Sequence, residues 1–432
     1  VVIQTIPFYA VDRQGKPVFD LKPEELSLYL NGKKVDYLGM FNFSAPTLQN
    51  VKRGTAASEQ KLSEPKSMIL SKAGQNGTMQ KRYVFVILDK MFNSRKGIRK
   101  SRELIEKLIR RSSDRDLFIL YQIDSFKGLS YLAGPTADKE KCIRLVRRIR
   151  AQGKVEYAIN NIQANILAGR IVDKKTGGEE FKNALKAANA EMKRYVDRGK
   201  THQEVIASLK YVLKTITRPK LVYLVSEGIN FYHSFGRVAL GARKGDRDLY
   251  YEQLKKTAEA VNQGGSMLFV MDSNPVPNTS TLMDSGTKTL KYLAENSGGR
   301  YYWGRDQEAV IQKLHNTTKA YYEIDFDQDV ISGNKSRVKV NVKCLRKGVT
   351  LHTLNRTEFK VKYQQMEAVQ QELFALDIVN GGVWGRLLGK ISETKPLFAG
   401  QQDKGERTVE LLLPEAMKHK TLDIFQISID PK

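Results

Sequence analysis

Three acids in this chain stand at or just after the ends of apolar runs, where side chains could do chemistry at the tip of a strand. Asp89 follows the run at 83–88, Ser226-Glu227-Gly228 follows 221–225, and Asp272-Ser273-Asn274 follows 267–271. In an open parallel sheet, ligands bind outside the carboxyl ends of the strands, near the point where strand order reverses. Carboxylates gathered there could hold a hard cation or act as acid and base. Other chemistries fail on spacing. Dinucleotide binding needs Gly-x-Gly-x-x-Gly after the first strand, and Asp89 is followed by Lys90, Met91, Phe92, Asn93 and Ser94. A phosphate loop ending in Gly199-Lys200-Thr201 would need glycine where Arg194 stands. The histidines (His202, His233, His315, His352, His419) never fall at i, i+4, so no His-Glu-x-x-His zinc motif exists, and no Gly-x-Ser-x-Gly elbow is present. Each histidine reads as a structural or surface residue. A metal-assisted hydrolase using Asp89, Glu227 and Asp272 is the enzymatic alternative, but it would need a nucleophile beside a base and no such pair is visible.

The elements that must position these residues alternate. Residues 83–88 form the continuous apolar run of a central strand covered on both faces. Ile98, Leu104, Ile105 and Leu108 have helical spacing; an apolar strand follows at 117–123, then a short edge strand at 129–132. Ile143, Val146 and Ile149 mark a helix whose other face is almost wholly basic. Residues 154–200 read as a helical insertion, and a helix over 202–216 is stopped by Pro219. Strands at 221–225, 267–271 and 300–303 and helices at 249–262, 287–296 and 307–318 complete the series. Repeated β-then-α units predict an α/β fold with a doubly wound, mostly parallel sheet over 81–320. Modules of β-sandwich type flank it. Residues 1–44 alternate around an Asn31-Gly32 hairpin turn, 45–80 have linker composition, strands over 321–363 pack with the N-terminal module, and 364–432 form a further β module.

Composition sets outer bounds. A chain of 432 residues has room for two to four domains, and its 41% hydrophobic content excludes a disordered chain. No apolar run approaches the ~20 residues of a membrane span. Cys142 and Cys344 are too few for a disulfide framework or a thiolate metal site.

Asp89, Asn93, Ser94, Thr201 and Ser226-Glu227-Gly228, in that order and each after a strand or at a helix start, resemble the von Willebrand factor type A domain over about residues 81–319. The resemblance implies a divalent cation, Mg²⁺ or in its place Mn²⁺ or Ca²⁺, held above the sheet by an Asp-x-Ser-x-Ser loop, a later Thr and a Thr/Ser-Asp-Gly loop. Here Met91 replaces the first Ser, Asn93 the second with Ser94 one residue later, and Glu227 the last Asp. Methionine is no hard-oxygen ligand, so the motif reads as degenerate, with a site lacking metal as the main expectation. Residues 11–18, 21–26 and 31–33, with 293–302 and Tyr321-Tyr322, resemble a bacterial group called VWFA-related, acidobacterial type. That resemblance implies an extracytoplasmic protein, in the periplasm or at the cell surface, whose signal peptide has been removed.

The 72 basic against 47 acidic residues leave a net charge of +25. Residues 95–111 carry a net +6 and 139–150 a net +5, nearly half the total, and neither segment contains an aromatic residue. Nucleic-acid grooves add stacking aromatics to such charge, so these faces read either as solvated helix surface or as a site for an acidic protein, glycan or lipid headgroup, with Arg99, Arg102, Arg147 and Arg148 on a face distinct from the Asp89 edge. The function expected is non-enzymatic protein binding or adhesion through that edge, with Phe231, Tyr232 and Asp272 as further partner contacts. The alternative is a structural component of a bacterial envelope assembly.

Overall fold

Apolar residues on both faces of one strand demand cover on both sides, and this requirement organises the molecule. The computed structural model describes residues 3–43, 68–69, 81–151, 178–214, 216, 219–229, 244–274, 286–330 and 337–358. Its central strand is β6 (Arg82–Asp89). Val84, Val86 and Leu88 pack on one side with Leu104, Leu108 and Ile311. Phe85 and Ile87 pack on the other with Ile206, Leu209 and Leu254. Each such side chain contributes about 1.5–3 kcal/mol by leaving water.

Around β6 lie β7 (Asp116–Asp124), β8 (Gly128–Thr136), β9 (Lys220–Ser226), β10 (Leu268–Asp272) and β11 (Tyr301–Tyr302), in the order β11-β10-β9-β6-β7-β8. Only β8 runs antiparallel. This is the doubly wound, mostly parallel sheet that the von Willebrand factor A resemblance implies. The helices are α1 (Arg95–Arg111), α2 (Lys139–Arg148), α3 (Gly178–Lys214), α4 (Lys244–Gln263), α5 (Thr287–Asn296) and α6 (Gln307–Lys319). None of those described is long and apolar enough to cross a membrane. Because successive strands leave β6 first toward β7 and later toward β9, the switch point lies between β6 and β9, whose last residues are Asp89 and Ser226.

Chain ends from either side of this domain build one sandwich. β1 (Ile3–Asp12) pairs with β12 (Tyr321–Asp327) and β14 (Val349–Thr353); β12 also pairs with β4 (Gly39–Asn42), and β4 with β5 (Met68–Ile69). The facing sheet holds β2 (Leu26–Leu30), β3 (Lys33–Val35), β13 (Arg337–Cys344) and β15 (Arg356–Glu358). Ile6, Phe8, Leu28, Ile324, Phe326 and Val340 fill the space between, with Phe8 stacked on Tyr322 at 5.0 Å.

Several elements differ from the sequence reading. The helix expected at 202–216 begins at Gly178, running unbroken through Gly199 although glycine costs about 1 kcal/mol there. The edge strand expected at 129–132 extends to Thr136, and the strand expected over 349–362 is two strands separated at Leu354 and Asn355. Residues 154–177 of the expected insertion, most of the linker and the C-terminal module lie outside the described residues.

His352, opposite Tyr9 on β14, gives a pH prediction. Its Nε2 has no hydrogen-bond partner among the described residues, and burial, with Arg300 adding to it, pushes its pKa down to about 4. The folded form stays neutral while the unfolded chain takes up a proton near pH 6.5. Its contribution is complete above that pH and declines as pH falls from about 6.5 to 4. With its partial exposure discounted, about 2 kcal/mol is at stake. Urea unfolding from pH 7 to 4 should show a shallower decline for His352→Phe than for the parent. Identical slopes would refute the assignment.

Candidate functional site

Asp89 ends β6 with no exposed surface. Its Oδ1 accepts the amides of Met91 (2.8 Å) and Phe92 (3.1 Å), which folds the following loop back onto the strand end. Its Oδ2 accepts the Ser226 hydroxyl at 2.5 Å, from the neighbouring strand across the switch point. The same oxygen lies 3.0 Å from Nε2 of His202 on α3. An ionised carboxylate only accepts, so Nε2 carries the proton. Burial alone would raise the Asp89 pKa, but His202, Ser226 and the Phe92 amide outweigh it and hold the pKa below the ordinary value. The imidazole stands edge-on to Phe92, whose ring meets Tyr195 in the same way. His202 Nδ1 has no hydrogen-bond partner among the described residues.

The other polar residues also bond inward. Asn93 Oδ1 accepts the Glu227 amide (2.6 Å) and the Ser273 hydroxyl (3.1 Å), while its Nδ2 donates to Ser101 (2.8 Å). Ser94 caps α1: its hydroxyl accepts from the Gly97 amide at 3.0 Å and donates to Glu227 Oε1 at 2.9 Å. The Ser94 amide donates to Glu227 Oε2 at 2.6 Å, so the Glu227 carboxylate lies at the positive end of the helix. A Cβ at Gly97 would come within 2.4 Å of Glu227 Oε1, so this glycine leaves the carboxylate its room. Gly228 adopts φ +74°, and a Cβ there would lie 2.6 Å from the Gly286 carbonyl oxygen. The loop after β9 therefore requires glycine at that position.

Asp272 closes the arrangement at β10. Its oxygens accept the Asn274 amide (2.8 Å), the Thr287 hydroxyl (3.1 Å) and the Tyr301 phenol (2.6 Å). Burial outweighs these bonds and raises its pKa. Lys100 of α1 donates to the Asn274 carbonyl at 2.6 Å with its ammonium 5.9 Å from the Trp303 ring centroid, and burial lowers its pKa.

Of the residues expected from sequence to hold a cation, the structure brings Asp89, Asn93, Ser94, Ser226 and Glu227 together. Thr201 is not among them. It is exposed and its hydroxyl bonds the Asp197 carbonyl at 3.1 Å, because successive helix residues point about 100° apart and the next residue, His202, is the one turned toward Asp89. Sequence reasoning set His202 aside, and the adjacent Thr201 was the signal that could have found it. Met91 is buried in the apolar core. Asp272 does not serve as a surface contact, since burial and its three donors enclose it. Phe231 and Tyr232 lie outside the described residues.

A carboxylate offers about four lone-pair positions, and Asp89 uses four on protein donors. Among the described residues no three His, Cys, Asp or Glu side chains converge as a metal centre.

The basic residues divide. Arg147 pairs with Glu106, and Arg102 donates to the Arg147 carbonyl at 2.9 Å. These two join α1 to α2, and Arg147 keeps 60% of its side chain exposed. Arg99 and Arg148 are exposed.

No protein-family model matches this chain, and no curated protein matches it. Solved structures similar to it include the conserved hypothetical protein BatB from Bacteroides thetaiotaomicron, 13% identical, covering 55% of this chain and 99% of that one with a TM-score of 0.26. A von Willebrand factor type A structure from Catenulispora acidiphila is 11% identical and covers 67% of this chain and 68% of that one, with a TM-score of 0.30.

Proposed function

We propose that the α/β domain is a non-enzymatic protein-binding module whose carboxyl edge works without a metal ion. The observation that carries this reading is the His202 to Asp89 contact at 3.0 Å, with Ser226 on the same carboxylate oxygen. All four acceptor positions of Asp89 are taken by donors of the fold, which supports an edge that keeps its shape without a cation. An enzymatic role is disfavoured by the same geometry. Ser226 is fully buried and its hydroxyl points to Asp89 rather than to a histidine, so it lacks the base that an activated nucleophile needs. Glu227 and Asp272 are held by donors of the fold. We place the protein outside the cytoplasm of a bacterium, as the resemblance of its N-terminal segment implies.

Calorimetric titration with Mg²⁺ and then Mn²⁺ tests the reading. The expected result is no saturable heat for the parent protein or for Asp89→Ala. Saturable binding by the parent that disappears in Asp89→Ala would overturn it. Turnover of phosphoesters or peptides abolished by Glu227→Gln would revive the hydrolase.

A further inference from the structure

Helices α1 and α2 lie antiparallel, as their contacts fix. Lys139 meets the Ser112 carbonyl, Arg110 meets Glu140, Arg147 meets Glu106, and Arg102 meets the Arg147 carbonyl. The start of α1 and the end of α2 therefore share one end of the pair. That end is the carboxyl edge of the sheet, since α1 begins just after Asp89. The basic face is thus continuous with the candidate site, not distinct from it as the sequence suggested.

Charge is distributed unevenly along the pair. At the far end acids pair with several of the cations, Glu140 with Arg110 and Glu308 with Lys107 and Arg111, while Lys141 and Arg144 are exposed with no acid on them among the described residues. At the carboxyl edge Arg95, Lys96, Arg99, Arg148 and Arg150 are exposed, and none pairs with an acid among the described residues. Three of these five occupy the first turns of α1, and its first turn contains no acid. Cations at a helix N-terminus oppose the macrodipole, so folding gains nothing from this placement.

We propose that these five cations form the docking surface for a carboxylate-rich segment of a protein partner. The proposal rests on reading the edge as a metal-independent binding module, in which fixed side chains supply the positive charge. Arginine predominates in the cluster, and its guanidinium fork matches carboxylates in bidentate fashion. Nucleic acid is disfavoured because α1 and α2 carry no aromatic residue for stacking. A membrane surface is disfavoured because the apolar stripes of both helices, including Ile98, Leu104, Ile143 and Val146, are buried against the sheet.

The test is fluorescence anisotropy of a labelled oligo-glutamate peptide, with EDTA and again with Mg²⁺. The variants are Arg95→Glu/Arg99→Glu/Arg148→Gln and, as a charge-matched control on the sandwich, Lys33→Glu/Lys34→Glu/Lys16→Gln. Three lost exposed pairs should weaken binding roughly 10- to 100-fold in the first variant, with little change in the control and the same result in EDTA. Acids at positions 95 and 99 favour the helix dipole, so the first variant should melt no lower than the parent, separating lost binding from lost folding. Metal-independent binding untouched by the arginine substitutions would overturn the proposal alone. Binding that appears only with Mg²⁺ and vanishes in Asp89→Ala would overturn the reading beneath it. An equal loss in the control, or tighter binding of a single-stranded oligonucleotide or of phosphatidylserine vesicles, would overturn the choice of an acidic protein segment.

Discussion

Asp89→Ala is expected to lower the folding stability by about 3–5 kcal/mol, equally in EDTA and in Mg²⁺, because several buried donors lose one charged acceptor and each group left unsatisfied costs about 1–3 kcal/mol. The substitution strips an acceptor from the Met91 and Phe92 amides, the Ser226 hydroxyl and the His202 ring at once. All of these lie in a part of the protein that water does not reach, so each lost partner leaves a desolvated group. Asn at the same position keeps one carbonyl oxygen and should recover part of the loss. Because the Asp89 pKa is lowered in the folded protein, its contribution is present above the unfolded carboxylate value near pH 4 and is lost as pH falls further. Urea unfolding at neutral pH measures the effect. A loss below about 1 kcal/mol would mean that the network contributes no more than a surface pair.

At the opposite edge of the sheet, Arg82→Ala should cost a similar amount, about 3–5 kcal/mol. Arg82 at the start of β6 donates through Nε and Nη2 to both oxygens of Asp116 on β7, at 2.8 and 3.0 Å, and through Nη1 to the Thr318 carbonyl at 2.9 Å. Both partners are buried. Burial works against the charge on Arg82, but Asp116 outweighs it and holds the guanidinium firmly protonated. Removing the arginine leaves the buried Asp116 carboxylate with the Ser113 amide at 3.1 Å but without its ion-pair partner. Arg82→Met/Asp116→Leu should restore most of the loss, since apolar residues of similar volume carry no desolvation cost. If the double variant is as unstable as the single, the stabilisation comes instead from the Thr318 contact, which ties β6 to the end of α6.

Much of the α/β domain was legible in the sequence because its determinants are local. An unbroken apolar run such as Val84 to Leu88 can only be a strand covered on both sides, and helical spacing in α1 shows which face it buries. The strand-end acids were legible for the same reason, as each follows its run directly. Boundaries were less legible where propensity and packing disagree. Gly199 and Thr201 are weak helix formers, yet α3 continues through them with Tyr195, Ile206 and Leu209 seated in the core. Arg102 and Arg147 looked like free charge because sequence shows neither that α1 and α2 are antiparallel nor that Glu106 pairs with Arg147 across them.

By itself, then, the sequence determined the alternation of strands and helices, the β elements on either side, the acids at the sheet edge and the amount of positive charge. Those features depend on residue type and on neighbours within a few positions. Tertiary structure alone decided what the edge residues do. Asp89 meets Ser226 across 137 positions and His202 across 113, and the choice of His202 over Thr201 depends on how one long helix is rotated against the sheet. A rotation of one residue would turn a hydroxyl toward Asp89 instead of an imidazole, and the packing of Tyr195, Ile206, Leu209 and Leu213 beneath that helix selects the rotation.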